Sequence, residues 1–262
     1  MTHDPVVLIL VDGMRPDAIM QAETPTIKGL LKKGTYTFGA QTVVPSVTLP
    51  CITSIFLGVP PEVHGTIGNY WNSSDWQTPG LIDLVKQAGG KTAAFYNWEQ
   101  LRDISRPGSL DISVCINSAE SHDLPLGESD RQVVDIASSF ISSSNFDFIF
   151  VYLGCLDTAG HRHGWMSPEY LQTLGNADLC IDRLLKSVPG SASVVIASDH
   201  GGHDHDHGTE DPQDMMVPLI ISGSRIISEQ WAMPVSVLDI APTVASMLGL
   251  SAPKEWVGKS LV

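Results

Sequence analysis

The sequence is short of the features that mark several large protein classes. Of its 262 residues only 15 are Lys or Arg, against 29 Asp or Glu, and the formal net charge is -14. Affinity for a phosphate backbone rests on clustered Lys and Arg, so no nucleic-acid-binding surface is expected, and an acidic exterior disfavours anionic membranes. No apolar run reaches the roughly 18 to 20 residues that a membrane span needs, and residues Met1 to Pro5 carry neither a basic nor an apolar export signal. The expectation is a soluble, cytoplasmic protein with no membrane partner. Four cysteines, Cys51, Cys115, Cys155 and Cys180, include no CxxC pair. Neither a disulfide framework nor a thiolate zinc site is therefore indicated. Charged residues make up only 17% against 43% hydrophobic ones, which excludes a disordered chain.

Short apolar runs are present instead. Val6 to Val11, Thr92 to Tyr96, Phe146 to Leu153, Ser193 to Ala197 and Val217 to Ile221 are continuous rather than alternating, as in parallel strands buried on both faces. Helical patterns lie between them: Thr24 to Lys33, Thr78 to Ala88, Glu128 to Ser142, Pro168 to Lys186 and Val237 to Leu248, several opened by Pro and closed by Gly. The alternation predicts a three-layer α/β sandwich, a mostly parallel central sheet with helices on both faces. No linker divides residues 1–262, which read as one domain. Trp71 to Gln77 and Asp103 to Leu126 read as insertions.

Ligands bind beyond the carboxyl ends of strands in open α/β sheets. Asp12 directly follows the first run, Asp157 lies just past Phe146 to Leu153, and Asp199-His200 follows Ser193 to Ala197. An Asp after a strand is commonly a cap or turn residue; three of them at one sheet edge point to a site. The histidines are bunched as well, six of nine (His161, His163, His200, His203, His205 and His207) falling in one stretch. Asp157 and His161 are four residues apart, a spacing that one helical turn converges on an ion. Asp12, Asp157, His161, Asp199, His200 and His207 together are six ligands, enough for two cations with three each. Carboxylate and imidazole without thiolate suit zinc, manganese or iron rather than calcium. His203 and His205 read either as part of a solvated loop or as further ligands.

A candidate nucleophile lies in Val44-Pro45-Ser46-Val47-Thr48-Leu49-Pro50, ahead of a helix read over Ile52 to Leu57. A hydroxyl at a helix mouth meets free N–H groups that favour phosphate. Thr48 reads as such a nucleophile or as a plain N-cap, with Ser46 its competitor.

These segments resemble a known family. Leu10-Val11-Asp12-Gly13-Met14-Arg15, Thr48-Leu49-Pro50, His64 to Asn69, Asp157 to Gly164, Ser198 to Gly201 and His207-Gly208 are similar to the alkaline phosphatase superfamily. Within it they resemble the nucleotide pyrophosphatase/phosphodiesterase branch, with phosphonoacetate hydrolase a near relative. Val237 to Leu250 and Gly258 to Leu261 match that superfamily's last helix and tail. The resemblance implies one zinc on Asp157, His161 and His207, and a second on Asp12, Asp199 and His200, with Thr48 as a further metal-site residue and nucleophile on that second ion. It also implies that Asn69 and the Leu49 N–H bind phosphate. The implied activity is hydrolysis of a small phosphorylated substrate, such as a nucleotide, through a phosphothreonine. Leu49-Pro50-Cys51 departs from the branch's aromatic-Pro-Asn, and little chain is left to build a nucleotide pocket. The cysteine context Cys51-Ile52-Thr53-Ser54 does not match a sulfatase. Two alternatives are a C–P hydrolase like phosphonoacetate hydrolase, with Lys91 among the few cations to hold a carboxylate, and a non-catalytic zinc-binding protein.

Overall fold

A computed structural model describes residues 4–70, 78–116 and 124–262. The predicted insertion at Trp71 to Gln77 lies outside the described residues, as do residues 1–3. Eight strands form the sheet: β1 (Val6–Val11), β2 (Thr35–Gln41), β3 (Thr92–Tyr96), β4 (Ile112–Cys115), β5 (Phe148–Leu153), β6 (Ser193–Ala197), β7 (Met216–Ser222) and β8 (Glu229–Gln230). Their order is β4-β3-β5-β1-β6-β7-β2-β8. Neighbours pair in parallel from β4 through β6, while β7 runs antiparallel to both β6 and β2. The run Val217 to Ile221, expected among the parallel strands, is therefore reversed. Burial on both faces gives it the same continuous apolar composition, which carries no information on direction.

The helices are α1 (Pro16–Gln21), α2 (Pro25–Leu31), α3 (Thr48–Leu57), α4 (Pro61–His64), α5 (Leu81–Gln87), α6 (Glu128–Ser143), α7 (Cys155–His163), α8 (Pro168–Ser187), α9 (Pro212–Met215) and α10 (Ile240–Met247). The predicted helix Val237 to Leu248 begins as a 3-10 turn, Val237–Asp239. Strand β1 is fully buried, and its alternate residues feed two cores. Val6, Leu8 and Leu10 pack with α3, α5 and α10, whereas Val7, Ile9 and Val11 pack with α1, α2, α6 and α8. That makes three layers, as the strand and helix alternation requires. Part of the expected insertion Asp103 to Leu126 supplies β4 at the sheet edge.

Parallel pairing brings the carboxyl ends of β3, β5, β1 and β6 to one edge. There the Ser198 Oγ accepts from the Met14 N–H at 2.8 Å and donates to the Val11 carbonyl at 2.7 Å, fixing the ends of β1 and β6 against each other.

Candidate active site

The four strand ends deliver Asn97, Gly154, Asp12 and Asp199-His200 to this edge. Asp12, Asp199 and His200 are 3%, 0% and 0% exposed. Asp157 and His161 stand on the first and last turns of α7, and His207 comes from the loop after β6.

The imidazoles share one arrangement. His200 Nδ1 lies 2.8 Å from the Gly201 carbonyl, His207 Nδ1 2.8 Å from the Ser46 carbonyl and His161 Nδ1 2.9 Å from the His205 carbonyl. A carbonyl only accepts, so each Nδ1 carries a hydrogen and each Nε2 is turned inward, where a neutral ring offers its lone pair. Those Nε2 atoms meet other acceptors. His200 Nε2 is 3.1 Å from Asp12 Oδ1 and 3.5 Å from Asp199 Oδ2. His161 and His207 Nε2 lie 3.5 and 3.7 Å from Asp157 Oδ1. Asp12 Oδ1 and Asp199 Oδ2 are buried, and with a neutral His200 neither has a hydrogen-bond donor. Lone pairs converging on buried carboxylates need positive charge among them, and an imidazole held through its other nitrogen is the usual setting of a metal ligand.

Two groups of donor atoms lie mutually within 4.8 Å: Asp157, His161 and His207, and Asp12, Asp157 and His200. Asp157 thus stands between both. Asp199 adjoins the second through His200. The donor set, carboxylates and imidazoles with no thiolate, fits divalent cations of the zinc or manganese kind.

Without a cation the site holds charge at a cost. Burial opposes the His200 imidazolium, yet the Asp199 and Asp12 carboxylates outweigh it and raise its pKa to about 10. Burial and the neighbouring Asp12 carboxylate push Asp199 well up. Asp12 is buried too, but hydrogen bonding and charge from His200, with Tyr152, hold it low. Burial and the His200 charge lower His207 to about 4.

Thr48 is the first residue of α3, with Val47 in the N-cap position, so its hydroxyl does not cap the helix. It lies 3.1 Å from His200 Nε2. Its competitor Ser46 is fully buried and donates to the Thr209 carbonyl at 2.7 Å. Only Thr48 of the two lines the cavity. The helix expected over Ile52 to Leu57 starts earlier, at Thr48, because Pro50 fits a first turn, where its missing N–H is not needed. The Leu49 N–H donates to Asn69 Oδ1 at 2.9 Å. Of the two expected phosphate donors, the Leu49 N–H is thus taken up by Asn69, whose side chain lines the cavity.

His203 Nδ1 pairs with Asp214 at 2.7 Å, and His205 Nδ1 lies 3.2 Å from the His161 carbonyl. Both stay outside the two donor groups, as does the exposed His163. Lys91 sits at the opposite end of β3, its N–H bonded to Asp147, so it is remote from the site. Trp165 wedges between α7 and the histidine loop and donates to the Gly13 carbonyl at 3.0 Å. A Cβ on Gly160 or Gly202 would lie 2.6 or 2.2 Å from its ring, so both positions need glycine.

A cavity of about 370 Å³ opens over these groups, walled beyond them by Trp98, Tyr152, Thr158 and Arg162. Sequence reasoning missed Tyr152, whose phenol is kept protonated by burial and then by the Asp12 and Asp199 carboxylates and donates to Asp12 Oδ2. It lies inside a strand run, where an aromatic reads as core. Asn97 follows β3 directly, as Asp12 follows β1, with Trp98 next to it, so the strand-end rule could have found both.

The three-layer α/β fold is alkaline phosphatase-like. Murine ectonucleotide pyrophosphatase/phosphodiesterase 5 superposes with a TM-score of 0.81 at 14% identity, covering 95% of this chain and 96% of that one. The alkaline phosphatase PafA gives 0.81 at 14% identity, covering 100% and 99%. The family described as "Type I phosphodiesterase / nucleotide pyrophosphatase" matches residues 6–217, and the chain belongs to it. Among curated relatives, the Homo sapiens GPI ethanolamine phosphate transferase 2 catalytic subunit is 25% identical over 283 residues, 98% of this chain and 27% of that protein. A 2,3-bisphosphoglycerate-independent phosphoglycerate mutase from Desulforudis audaxviator (strain MP104C) is 27% identical over 214 residues, 78% of this chain and 39% of its own. The chain thus spans well under half the length of these relatives. Among the described residues no helix is long and apolar enough to cross a membrane.

Proposed function

We propose that residues 1–262 form one catalytic domain that hydrolyses a small phosphate ester through a phosphothreonine on Thr48. The observation that carries this reading is the Thr48 hydroxyl at the start of α3, 3.1 Å from His200 Nε2 and within a cluster of inward-facing imidazole and carboxylate groups. Asp157, His161 and His207 would hold one divalent cation, and Asp12, Asp199 and His200 the other, zinc being the first choice and manganese the second. Bound there, the cations supply Lewis acidity, lowering the pKa of the Thr48 hydroxyl and offsetting charge on the phosphoryl oxygens.

The chain's own residues do the rest. Thr48 Oγ1 gives up its proton to solvent and attacks phosphorus, its bond to phosphorus forming as the bond to the leaving oxygen breaks and that oxygen takes up a proton from solvent. Asn69 Nδ2 donates to a phosphoryl oxygen, held in line by the Leu49 N–H. Water then attacks phosphorus, releasing the phosphate product and restoring the Thr48 hydroxyl. Trp98 and Tyr152 form an aromatic wall on which a planar leaving group could lie, their rings 27° apart. The murine pyrophosphatase in complex with AMP supports a nucleotide as one such substrate.

The C–P hydrolase reading loses Lys91, which is at the wrong end of β3, and would need Arg162 in its place. The zinc-binding reading leaves the Thr48 and Asn69 arrangement without a purpose. The test is turnover of nitrophenyl phosphate mono- and diesters by the zinc-loaded protein. Thr48→Ala is expected to lose about a thousandfold or more while binding metal as before, and Ser46→Ala to keep most activity. Full activity in Thr48→Ala defeats the nucleophile assignment, and release of phosphate from phosphonoacetate alone would favour the C–P reading.

A further inference from the structure

A second polar cluster lies behind the site, where the proposed chemistry does not use it. Asn97, Ser129 and Asp130 are 0%, 1% and 1% exposed. The Asn97 Nδ2 donates to Ser129 Oγ at 2.6 Å and to Asp130 Oδ1 at 2.7 Å. Asn97 Oδ1 accepts from the Gly154 N–H at 3.0 Å, and Asp130 Oδ1 accepts from the Cys155 N–H at 3.2 Å.

Gly154 and Cys155 are the N-cap and first residue of α7, and no side chain of its own caps that helix. The first N–H groups of a helix have no partner within it, and a buried start needs acceptors from elsewhere. Asn97, from the end of β3, and Asp130, from the first turn of α6, are those acceptors. Two residues further on stands Asp157, the carboxylate common to both donor groups.

We propose that Asn97 and Asp130 are positioning residues for the metal centre, capping α7 from two other elements and so setting where Asp157 stands. The proposal rests on the reading of Asp157 as a ligand. Asp130 stands there against a cost, since burial raises its pKa to about 6 and its Oδ2 is buried with no hydrogen bond; what it supplies is the acceptor for the Cys155 N–H and the Asn97 amide. Asn97 also anchors the backbone next to Trp98, tying the cavity wall to the same cluster.

Zinc binding is read by competition with a chromophoric chelator on the wild type, Asn97→Ala, Asp130→Ala, Asp130→Asn and Val133→Ala. Asp130→Asn keeps an oxygen that accepts from both Asn97 and Cys155. Val133→Ala opens a cavity in α6 and reports what lost stability does by itself, Val133 being 1% exposed. The expected result is about tenfold weaker zinc binding in Asn97→Ala and Asp130→Ala, with Asp130→Asn and Val133→Ala within about threefold of wild type. Should the alanine variants fail to fold, Asn97→Ser replaces them, since its hydroxyl is too short to reach the Gly154 N–H and the same loss is expected. Wild-type affinity in the folded Asn97 and Asp130 variants, or a loss matched by Val133→Ala, overturns the proposal. A wild type that binds no zinc instead overturns the underlying reading of the site.

Discussion

The two halves of the site are built by different means. Asp12 directly follows β1, and Asp199 and His200 lie one and two residues past Ser198 at the end of the adjacent parallel strand β6, all three buried. His161 and His207 come from a helix end and a loop, and their side chains are 40% and 7% exposed, with Asp157 at 17%. The inner half gathers charge where water is absent. The outer half is assembled by contacts across a seam: His161 and His205 each direct Nδ1 at the other's carbonyl, and Trp165 fills the gap. Rigid strand ends can hold like charges together that a mobile loop would let drift apart, so the inner half depends more on a cation and the outer half more on its scaffold.

Substituting one ligand in each half tests this contrast most severely. Asp199→Asn and His161→Gln are each expected to cost about a thousandfold or more in turnover, since each removes a ligand. Their effects on the metal-free protein should differ. Asp199→Asn relieves a buried carboxylate beside Asp12 and is expected to stabilise it by about 1–3 kcal/mol in chelator, whereas His161→Gln should change it by less than about 0.5 kcal/mol. Equal shifts in a denaturant titration would break the comparison.

Metal removal comes next in size. A ligand at a hundred times its Kd stabilises by about 2.7 kcal/mol, so stripping saturating zinc should lower Tm by roughly 5–10 °C. Stepwise chelation should empty the exposed group first, giving two transitions in bound zinc. One concerted loss would mean that Asp157 couples the two groups into a single unit.

The same contrast governs how much was legible in the sequence. Asp12, Asp199 and His200 adjoin apolar runs, so finding β1 and β6 also located them. Asp157 and His161 were legible through helical spacing. Within the histidine run the sequence counts His207 with the ligands but leaves His203 and His205 open, because loop direction is set by contacts such as His203 with Asp214. The identity of the nucleophile depended on which way two neighbouring hydroxyls point, which composition does not record. Strand β2 escaped notice because Thr35 to Gln41 is half-exposed and polar, and β4 because four residues at an edge carry little pattern. Asp130 has no signature of its own, because a buried polar side chain that caps a distant helix leaves no local pattern.

Acid should act on a support outside both halves. The Thr66 N–H donates to His64 Nδ1, so Nε2 carries the hydrogen and bonds Ser54 Oγ on α3 at 2.9 Å. This pins the segment leading to Asn69 against the helix that carries Thr48. Burial lowers the His64 pKa to about 4 from 6.5. The folded chain binds this proton less readily than the unfolded one, so the contribution is complete above pH 6.5 and is lost as pH falls towards 4. The loss at pH 4 is on the order of 2–3 kcal/mol. In chelator, the stability of His64→Gln should fall less steeply than that of wild type over this range. Parallel curves would remove His64 from the account.

The smallest expected effect discriminates most finely between the halves. Tyr152→Phe deletes the hydroxyl that donates to Asp12 and leaves the ring against Trp98. Because the strand ends already fix Asp12, the expected loss in zinc affinity is only about threefold to tenfold, at the low end for a partner of a ligand. Trp165→Phe, which removes the bond to Gly13 and thins the wedge beneath His161 and His207, should cost the outer group more than Tyr152→Phe costs the inner one. The reverse order would mean that the inner carboxylates are held by their hydrogen bonds rather than by the sheet, and the distinction between strand-built and scaffold-built halves would fail.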